Sequence, residues 1–421
     1  MTSLVLNPFR VNNAATFAAS FASTPTYLVF GQSKPWTATT QYPTASDLNP
    51  LPPENTSGEI IRTRKTSVGA KRIQGADIMQ AIPNNTWATG TVYAQYDSED
   101  ENLYSKAFYV VTSAYGVFKC LFNNFGASST VEPTGTSNFA ITTADGYVWK
   151  YMYTISPANI LKFYNSYFAP VESNSVVAGA AVSGEIWSIA VDAGGTGYTS
   201  GTSVPVTITG DGSGAVATAT VVSGVVTKIK VTSAGSGYTY ANITMTGGTG
   251  LAAHANLAPV GGHGSNPFEE LGAFYAMTAT TMTGNENGDL SVANDFRSIY
   301  MLQSPLDSTG VSSYAANTAK MTYRINVASS SGFVVDSSGV AGTATFDIVE
   351  VGTGYIDVTN VSGSIPSSGS VSGTSGGISS ITSVVLPEIK LTSGKVLYVD
   401  HRSPVVRGTS QIETIRVVIQ F

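Results

Sequence analysis

Cysteine is nearly absent: Cys120 stands alone in 421 residues, which excludes an intramolecular disulfide. Histidine is scarce as well. His254, His263 and His401 lie far apart with no HxH, HxxxH or CxxC spacing, so a zinc site has no support. Charged residues make up only 11% of the chain, under half the roughly 25% of an ordinary soluble domain. The surface must therefore be built mostly of Ser, Thr, Asn and Gly. With 21 basic against 27 acidic residues the net charge is -6, which argues against nucleic acid as a main partner, because phosphate binding needs clustered Lys and Arg. No apolar run approaches the ~20 residues of a membrane helix, so no membrane partner is expected. Met1 to Arg10 lacks a basic start followed by an apolar stretch, so no secretory signal is expected either.

What is present is an ordinary hydrophobic fraction of 42%, enough for a core and too much for wholesale disorder. Gly 43 and Pro 18 without a Gly-X-Y period exclude collagen. The length allows roughly two to four domains.

Along the chain, Asn12 and Asn13 are candidate N-caps, and Phe17 and Phe21 share one helical face up to Pro25. The apolar run Tyr27 to Phe30, closed by Gly31, reads as a buried strand. Residues 33–58 carry Pro35, Pro43, Pro50, Pro52 and Pro53 and read as an extended arm, with Trp36 packed inside it. Thr91 to Tyr96 and Ala107 to Thr112, joined by the acidic turn Asp97 to Asn102, read as a hairpin. Gly116 to Phe122 is a further strand. In Tyr147 to Ile155 the residues Tyr147, Trp149, Tyr151, Tyr153 and Ile155 alternate along one half-buried face. Ser156-Pro157 starts a short helix to about Tyr164, and Asn266-Pro267 starts another through Leu271. Strands are expected at Phe274 to Met282, Phe296 to Leu302, Thr322 to Val327, Lys395 to Asp400 and Thr414 to Phe421. The Ser/Gly tract 360–380 reads as a flexible loop.

Between Val176 and about Ala258 charge nearly vanishes and a repeat emerges. The segment from Ile189 to Gly197-Tyr198 recurs forty residues later from Ile229 to Gly237-Tyr238, with a degenerate echo from Ile348 to Gly354-Tyr355. Each copy runs strand, glycine turn, tyrosine, strand, with the ring expected to lie over a neighbouring hairpin. Two copies are too few for a free-standing solenoid. The expected fold is mainly β with a few short helices (α+β) and several domains of antiparallel, sandwich-like sheets. The expected regions are an N-terminal helix, strand and arm over 1–59, core β domains over 60–175 and 259–421, and an inserted small β domain over 176–258.

A search for chemistry comes back negative. Cys120 sits mid-strand and reads as a small buried hydrophobe, not a thiolate. There is no GxSxG elbow or phosphate loop, and Gly194 to Gly197 is followed by residues that cannot open a dinucleotide-binding helix. The acidic runs Asp97 to Glu101 and Asn285 to Asp289 fit no EF-hand and read as solvated turns. Arg62, Arg64, Lys65, Lys71 and Arg72 are the only basic concentration. Read as alternating strand positions, they suit an acidic protein partner or local ion pairs. No catalytic, cofactor-binding or metal-binding residue is assigned, and no enzyme activity is expected.

Several segments together resemble one family. They are Tyr109 to Thr112, then Val117-Phe118-Lys119-Cys120-Leu121-Phe122-Asn123-Asn124, Ser129 to Thr136 and Thr143 to Tyr153. Ile82-Pro83, Trp87, Gly90 to Tyr93, Gly261-Gly262-His263-Gly264 and Glu270-Leu271-Gly272 extend the match in order. The string is similar to the baseplate wedge subunits encoded by gene eight of T-even-like contractile-tailed bacteriophages, over about 60–175 and 260–300. The insert at 176–258 departs from that family's shorter pattern and is in the style of cyanobacterial phage tail proteins. The resemblance implies a non-enzymatic structural subunit of the virion, made in the host cytoplasm. It implies a homodimer joining inner wedge proteins to the peripheral proteins that carry the tail fibres. A second expectation is a carbohydrate-binding adhesin or receptor-recognition protein using Tyr198, Tyr238 and the aromatic ladder; a third is a depolymerase.

Overall fold

The computed structural model describes residues 4–421, with every side chain among them except that of Asn287. Met1, Thr2 and Ser3, the start of the expected N-terminal region, lie outside the described residues. Strand makes up 44% of the chain and helix 11%, so the protein is mainly β, built from several antiparallel sheets. The chain divides into two compact units. The first holds the residues up to Thr16, Met79–Met277 and Val418–Phe421; the second holds Phe17–Ile78 and Thr278–Val417. The expected region 1–59 is therefore divided, and 60–78 fall with the second unit.

In the first unit a four-stranded sheet runs in the order Tyr109–Val111, Gly116–Phe122, Val148–Thr154, Ile141–Thr142. Gly116–Phe122 is buried at every position, because both of its faces are covered. A bulge interrupts the aromatic ladder: Val117 pairs with Tyr153 but Phe118 pairs with Tyr151, leaving Met152 unmatched. Tyr147, Trp149 and Tyr151 then pack beside Tyr93, Phe118 and Cys120, while Met152, Tyr153 and Ile155 pack beside Val117 and Val171. The half-buried face expected here is buried throughout. Tyr147 and Trp149 stack with centroids 5.3 Å apart. Thr91 to Tyr96, expected as a strand, makes only a single bridge from Thr91 to Ser129. Its backbone is diverted: the Tyr93 N–H donates to the Tyr147 hydroxyl at 3.3 Å and the Tyr96 N–H to the Cys120 carbonyl at 2.8 Å.

The inserted module has six strands. Ile186–Thr196, Gly201–Gly210 and Ser213–Val222 form the first copy; Val225–Ser236, Ala241–Thr244 and Thr249–Leu257 form the second. The copies exchange partners. The third strand of the first copy pairs with the first strand of the second, and the third strand of the second pairs with the first strand of the first. The two middle strands pair with each other. Reciprocal exchange lets two copies bury one another's apolar faces, where a linear stack would leave two open ends. The repeated tyrosines explain the glycines opposite them. Tyr198 and Tyr238 are each 6% exposed. A Cβ at Gly248 would stand 2.5 Å from the Tyr198 ring, and one at Gly212 would stand 2.4 Å from the Tyr238 ring. The rings lie flat on bare backbone, as the sequence suggests.

The module begins at Ile186, not at 176. Helix Ser175–Gly179, capped by Asn174, buries Val177 in the core beside Tyr93 and Trp149 and belongs to the surrounding unit. Entry and exit meet, since the Ala258 N–H donates to the Glu185 carbonyl at 3.0 Å.

In the second unit a five-stranded sheet is centred on Thr26–Gly31, buried at all positions, between Ser67–Ile73 and Phe296–Gln303. Beside it in sequence is an unexpected element, a closed barrel. Its order is Tyr323–Val327, Tyr355–Ser362, Ala344–Gly352, Ser338–Ala341, Gly369–Gly373, Ile378–Val385. The tract 360–380 is therefore not a flexible loop, since much of it forms barrel strands. Val371 and Ile381 point into the core with Phe346, Ile348 and Ile356, while Ser370, Ser372 and Ser380 alternate outward. Small residues suit so narrow a barrel: a Cβ at Gly339 would fall 2.4 Å from the Phe346 ring.

Because the module's ends meet, replacing Ile186–Leu257 with a short Gly/Ser linker is expected to leave a protein that melts cooperatively. Circular dichroism during heating checks this, and aggregation or a non-cooperative melt would show that the module is part of the core.

Candidate functional site

Lys119 and Lys150 are direct register partners on adjacent antiparallel strands of the first unit. Cross-strand partners project from the same face, so two ammonium groups are brought together. Both are buried, at 0% and 4% exposure. Like charges opposite one another and taken out of water are doubly unfavourable, so something must compensate. Glu270, 5% exposed, does so by pairing with the Lys119 ammonium. Its carboxylate also accepts from the Gly264 N–H at 2.8 and 3.0 Å and from the Asn266 N–H at 3.1 Å. The Lys150 ammonium donates to the Asn138 carbonyl at 2.6 Å.

Local sequence explains how Glu270 arrives there. Asn266 caps the one-turn helix Pro267–Glu270 by accepting from the Phe268 N–H at 3.2 Å, and Pro267 pre-sets the first helical residue. That turn carries Glu270 back over the Gly261-Gly262-His263-Gly264 loop. Gly264 has φ +93° and lies against the Lys150 stem, where a Cβ would meet Cε at 2.8 Å. No other residue type fits both requirements. Tyr96 closes the top, with its centroid 4.9 Å from the Lys119 ammonium and 5.0 Å from the edge-on His263 ring.

Burial sets the protonation of the cluster. It pulls the Lys119 ammonium below the ordinary lysine range against the opposing pull of Glu270, and does the same to Lys150. Burial also raises the Glu185 carboxyl, which accepts from the Trp187 indole N–H at 3.1 Å. His263 is held well below the usual imidazole value by burial and then by Lys119 and Lys150, and its Nδ1 has no hydrogen-bond partner. It is a neutral ring beneath two cations. Glu270 is saturated with donors from its own loop, and Lys119 is wholly enclosed. The arrangement works as a latch that fixes the loop to the sheet.

Apart from His263, the residues weighed for chemistry in the sequence scatter elsewhere. Cys120 is buried, and burial pushes its thiol up, as expected of a small hydrophobe. His254 faces Asp192 at 2.9 Å, and His401 lies 3.1 Å from Glu59 and 2.7 Å from the Leu51 carbonyl. Among the described residues no group of three or more His, Cys, Asp or Glu could hold a metal. In the acidic runs, Asp97 accepts from the Glu99 N–H at 2.9 Å, Asp100 pairs with Lys106 at 2.6 Å, and Glu286 pairs with Lys71 at 2.9 Å. Arg62, Arg64 and Lys65 lie on helix Ser57–Lys65, not on a strand. A cap at Thr56, accepting from the Glu59 N–H at 3.1 Å, starts that helix. With Lys71 on Glu286, four of the five residues of the basic group are engaged within the protein: Arg62 with Glu59 at 2.7 Å, Arg64 with the Leu391 and Ser393 carbonyls at 2.9 and 2.6 Å, and Arg72 with the Ala315 carbonyl at 2.8 Å.

The latch itself was not deduced from sequence. Its signal was a lysine in the middle of each of two apolar strands, in a chain with very few charges. No protein-family model matches the chain, and no curated protein matches it.

Glu270→Gln is expected to destabilise the protein by about 3–5 kcal/mol, because it leaves the facing lysines uncompensated. Adding Lys119→Met should recover most of that loss, as urea denaturation of the single and double variants would show. A second expectation concerns pH. His263 stays neutral in the fold, whereas the unfolded chain protonates it below about pH 6.5. The unfolded state then binds more protons, so stability falls as pH falls, by up to about 1.4 kcal/mol per pH unit from this group. The melting temperature of His263→Gln should decline less than that of the parent between about pH 6.5 and 5.

Proposed function

We propose that this chain is a structural subunit of the baseplate wedge of a contractile-tailed bacteriophage. In this reading it acts as a homodimer that fastens inner wedge proteins to the peripheral, fibre-carrying proteins of the tail. One observation carries the reading: segments that are scattered in sequence but resemble that family meet around one latch. Lys119 comes from the stretch Val117 to Asn124, Lys150 from Thr143 to Tyr153, Gly264 from the glycine loop, and Glu270 from Glu270-Leu271-Gly272. A buried ionic cluster whose carboxylate takes three donors, from Lys119, Gly264 and Asn266, suits a part whose task is to hold its shape under load.

The adhesin reading loses its proposed platform, since Tyr198 and Tyr238 are buried against glycine backbone and the aromatic ladder is enclosed. Sedimentation equilibrium is expected to give a dimer, and electron microscopy of tails carrying the labelled protein should place it in the baseplate. A strict monomer that never enters a tail would overturn the proposal.

A further inference from the structure

A cavity of about 390 Å³, within the size range of small-ligand sites, lies in the first unit at the seam between the inserted module and the sheet that carries the latch. Its walls come from both sides of that seam. Phe139 and Lys150 belong to the surrounding unit, Val182 and Glu185 to the segment that leads into the module, and Trp187 and Ser233 to module strands. Of the two facing lysines, only Lys150 lines the cavity.

Charge at this seam does not balance. Glu270 makes its ion pair with Lys119 and takes its remaining donors from its own loop. Lys150 is left without an ion pair among the described residues, although it is only 4% exposed. Its ammonium carries three donors, and a neutral acceptor, the Asn138 carbonyl at 2.6 Å, takes one of them. A buried ammonium with no anion in contact is costly unless a ligand supplies one. Glu185, on the same wall, pulls on Lys150 from a distance without pairing with it. Its Oε2 accepts from the Trp187 indole N–H at 3.1 Å, and its Oε1 takes no donor from the protein.

We infer that this cavity binds a monocarboxylate borne on an apolar, ring-sized group, with the carboxylate on the Lys150 ammonium. Phe139, Val182 and Trp187 supply apolar wall, and Phe139 and Val182 are 68% and 39% exposed. Charge decides among anions. A single ammonium answers one negative charge and Glu185 opposes a second, so a phosphate dianion is disfavoured. Glu185 also makes the site sensitive to pH. Burial raises its carboxyl above the usual carboxylate range. The charged groups that face it are Lys150 and Lys119, and Glu270 and the neutral His263 face the same two lysines. A protonated Glu185 donates to the ligand carboxylate, whereas an ionised one repels it, so affinity falls as pH rises through the ionisation of Glu185. This binding is independent of the assembly role proposed above, and each stands or falls alone.

Calorimetric titration of the full chain with phenylacetate, phenylacetamide and phenyl phosphate tests it. Phenylacetate is expected to bind about tenfold more tightly than either of the others. Its affinity should fall about tenfold between about pH 6 and about pH 8. Glu185→Gln keeps an oxygen for the Trp187 indole and should abolish that fall. Lys150→Met should bind phenylacetate and phenylacetamide alike; if that variant does not fold, the pH profile of Glu185→Gln decides. Failure of phenylacetate to bind, equal binding of phenylacetamide or phenyl phosphate, a Lys150→Met protein that still prefers the acid, or a pH profile that Glu185→Gln leaves unchanged would overturn the inference.

Discussion

Two lysines facing each other across a buried β ladder impose the constraint on which the first unit depends. The pairing of Gly116–Phe122 with Val148–Thr154 is fixed by aromatic packing on both faces, and that register forces Lys119 opposite Lys150. From there the rest follows in order. An anion is required, the anion must be buried, and a buried carboxylate needs several donors. A one-turn helix behind a glycine loop delivers Glu270 together with the Gly264 and Asn266 N–H groups. The loop's positive-φ glycines and the Asn266-Pro267 cap therefore serve a charge placed some 150 residues earlier in the chain, a separation the Lys119–Glu270 pair spans as 151 positions.

Elsewhere in the molecule the governing constraint is close approach. A protein with few charged side chains builds its β modules from backbone packed on aromatic rings. The tyrosine of each repeat lies on a glycine of a neighbouring turn, and the barrel packs Phe346 against Gly339. In the barrel echo the same device turns inward: Tyr355 lies over Gly352 of its own hairpin, and Arg324 covers its other side. One local motif thus supports an exchanged-strand sheet in one place and a closed barrel in another. The difference comes from which strand supplies the opposite edge.

Most local signals match the structure, although Asn12 and Asn13, expected as N-caps, lie inside helix Asn7–Ser20, and Ser156 precedes its helix without a side-chain capping bond. Strands Thr26–Gly31 and Gly116–Phe122, the helix starts at Ser156-Pro157 and Asn266-Pro267, and the glycine–tyrosine repeat all lie where turn chemistry and periodicity put them. What escaped was long-range. The barrel strands in 360–380 carry one apolar residue among serines and glycines, a pattern identical to a linker until a closed wall supplies the other apolar partners. Arg62, Arg64 and Lys65 looked like strand positions because Thr56, the cap that makes them helical, gives only a weak local signal next to Ser57-Gly58. The latch was illegible for a different reason. A lysine within an apolar strand reads the same whether it ends in solvent or under a carboxylate, and only the register decides.

That register also bears on how such a subunit would move. Parting Lys119 from Glu270 while both stay buried would leave two uncompensated charges, at a cost of about 3–5 kcal/mol, comparable to a large share of a domain's whole stability. Loop and sheet are thereby made one body for any motion of lower energy. If the protein changes partners in a contracting tail, the rearrangement must fall on surfaces less firmly tied than this one. Rigidity around Glu270 is then a consequence of where the few charges were placed.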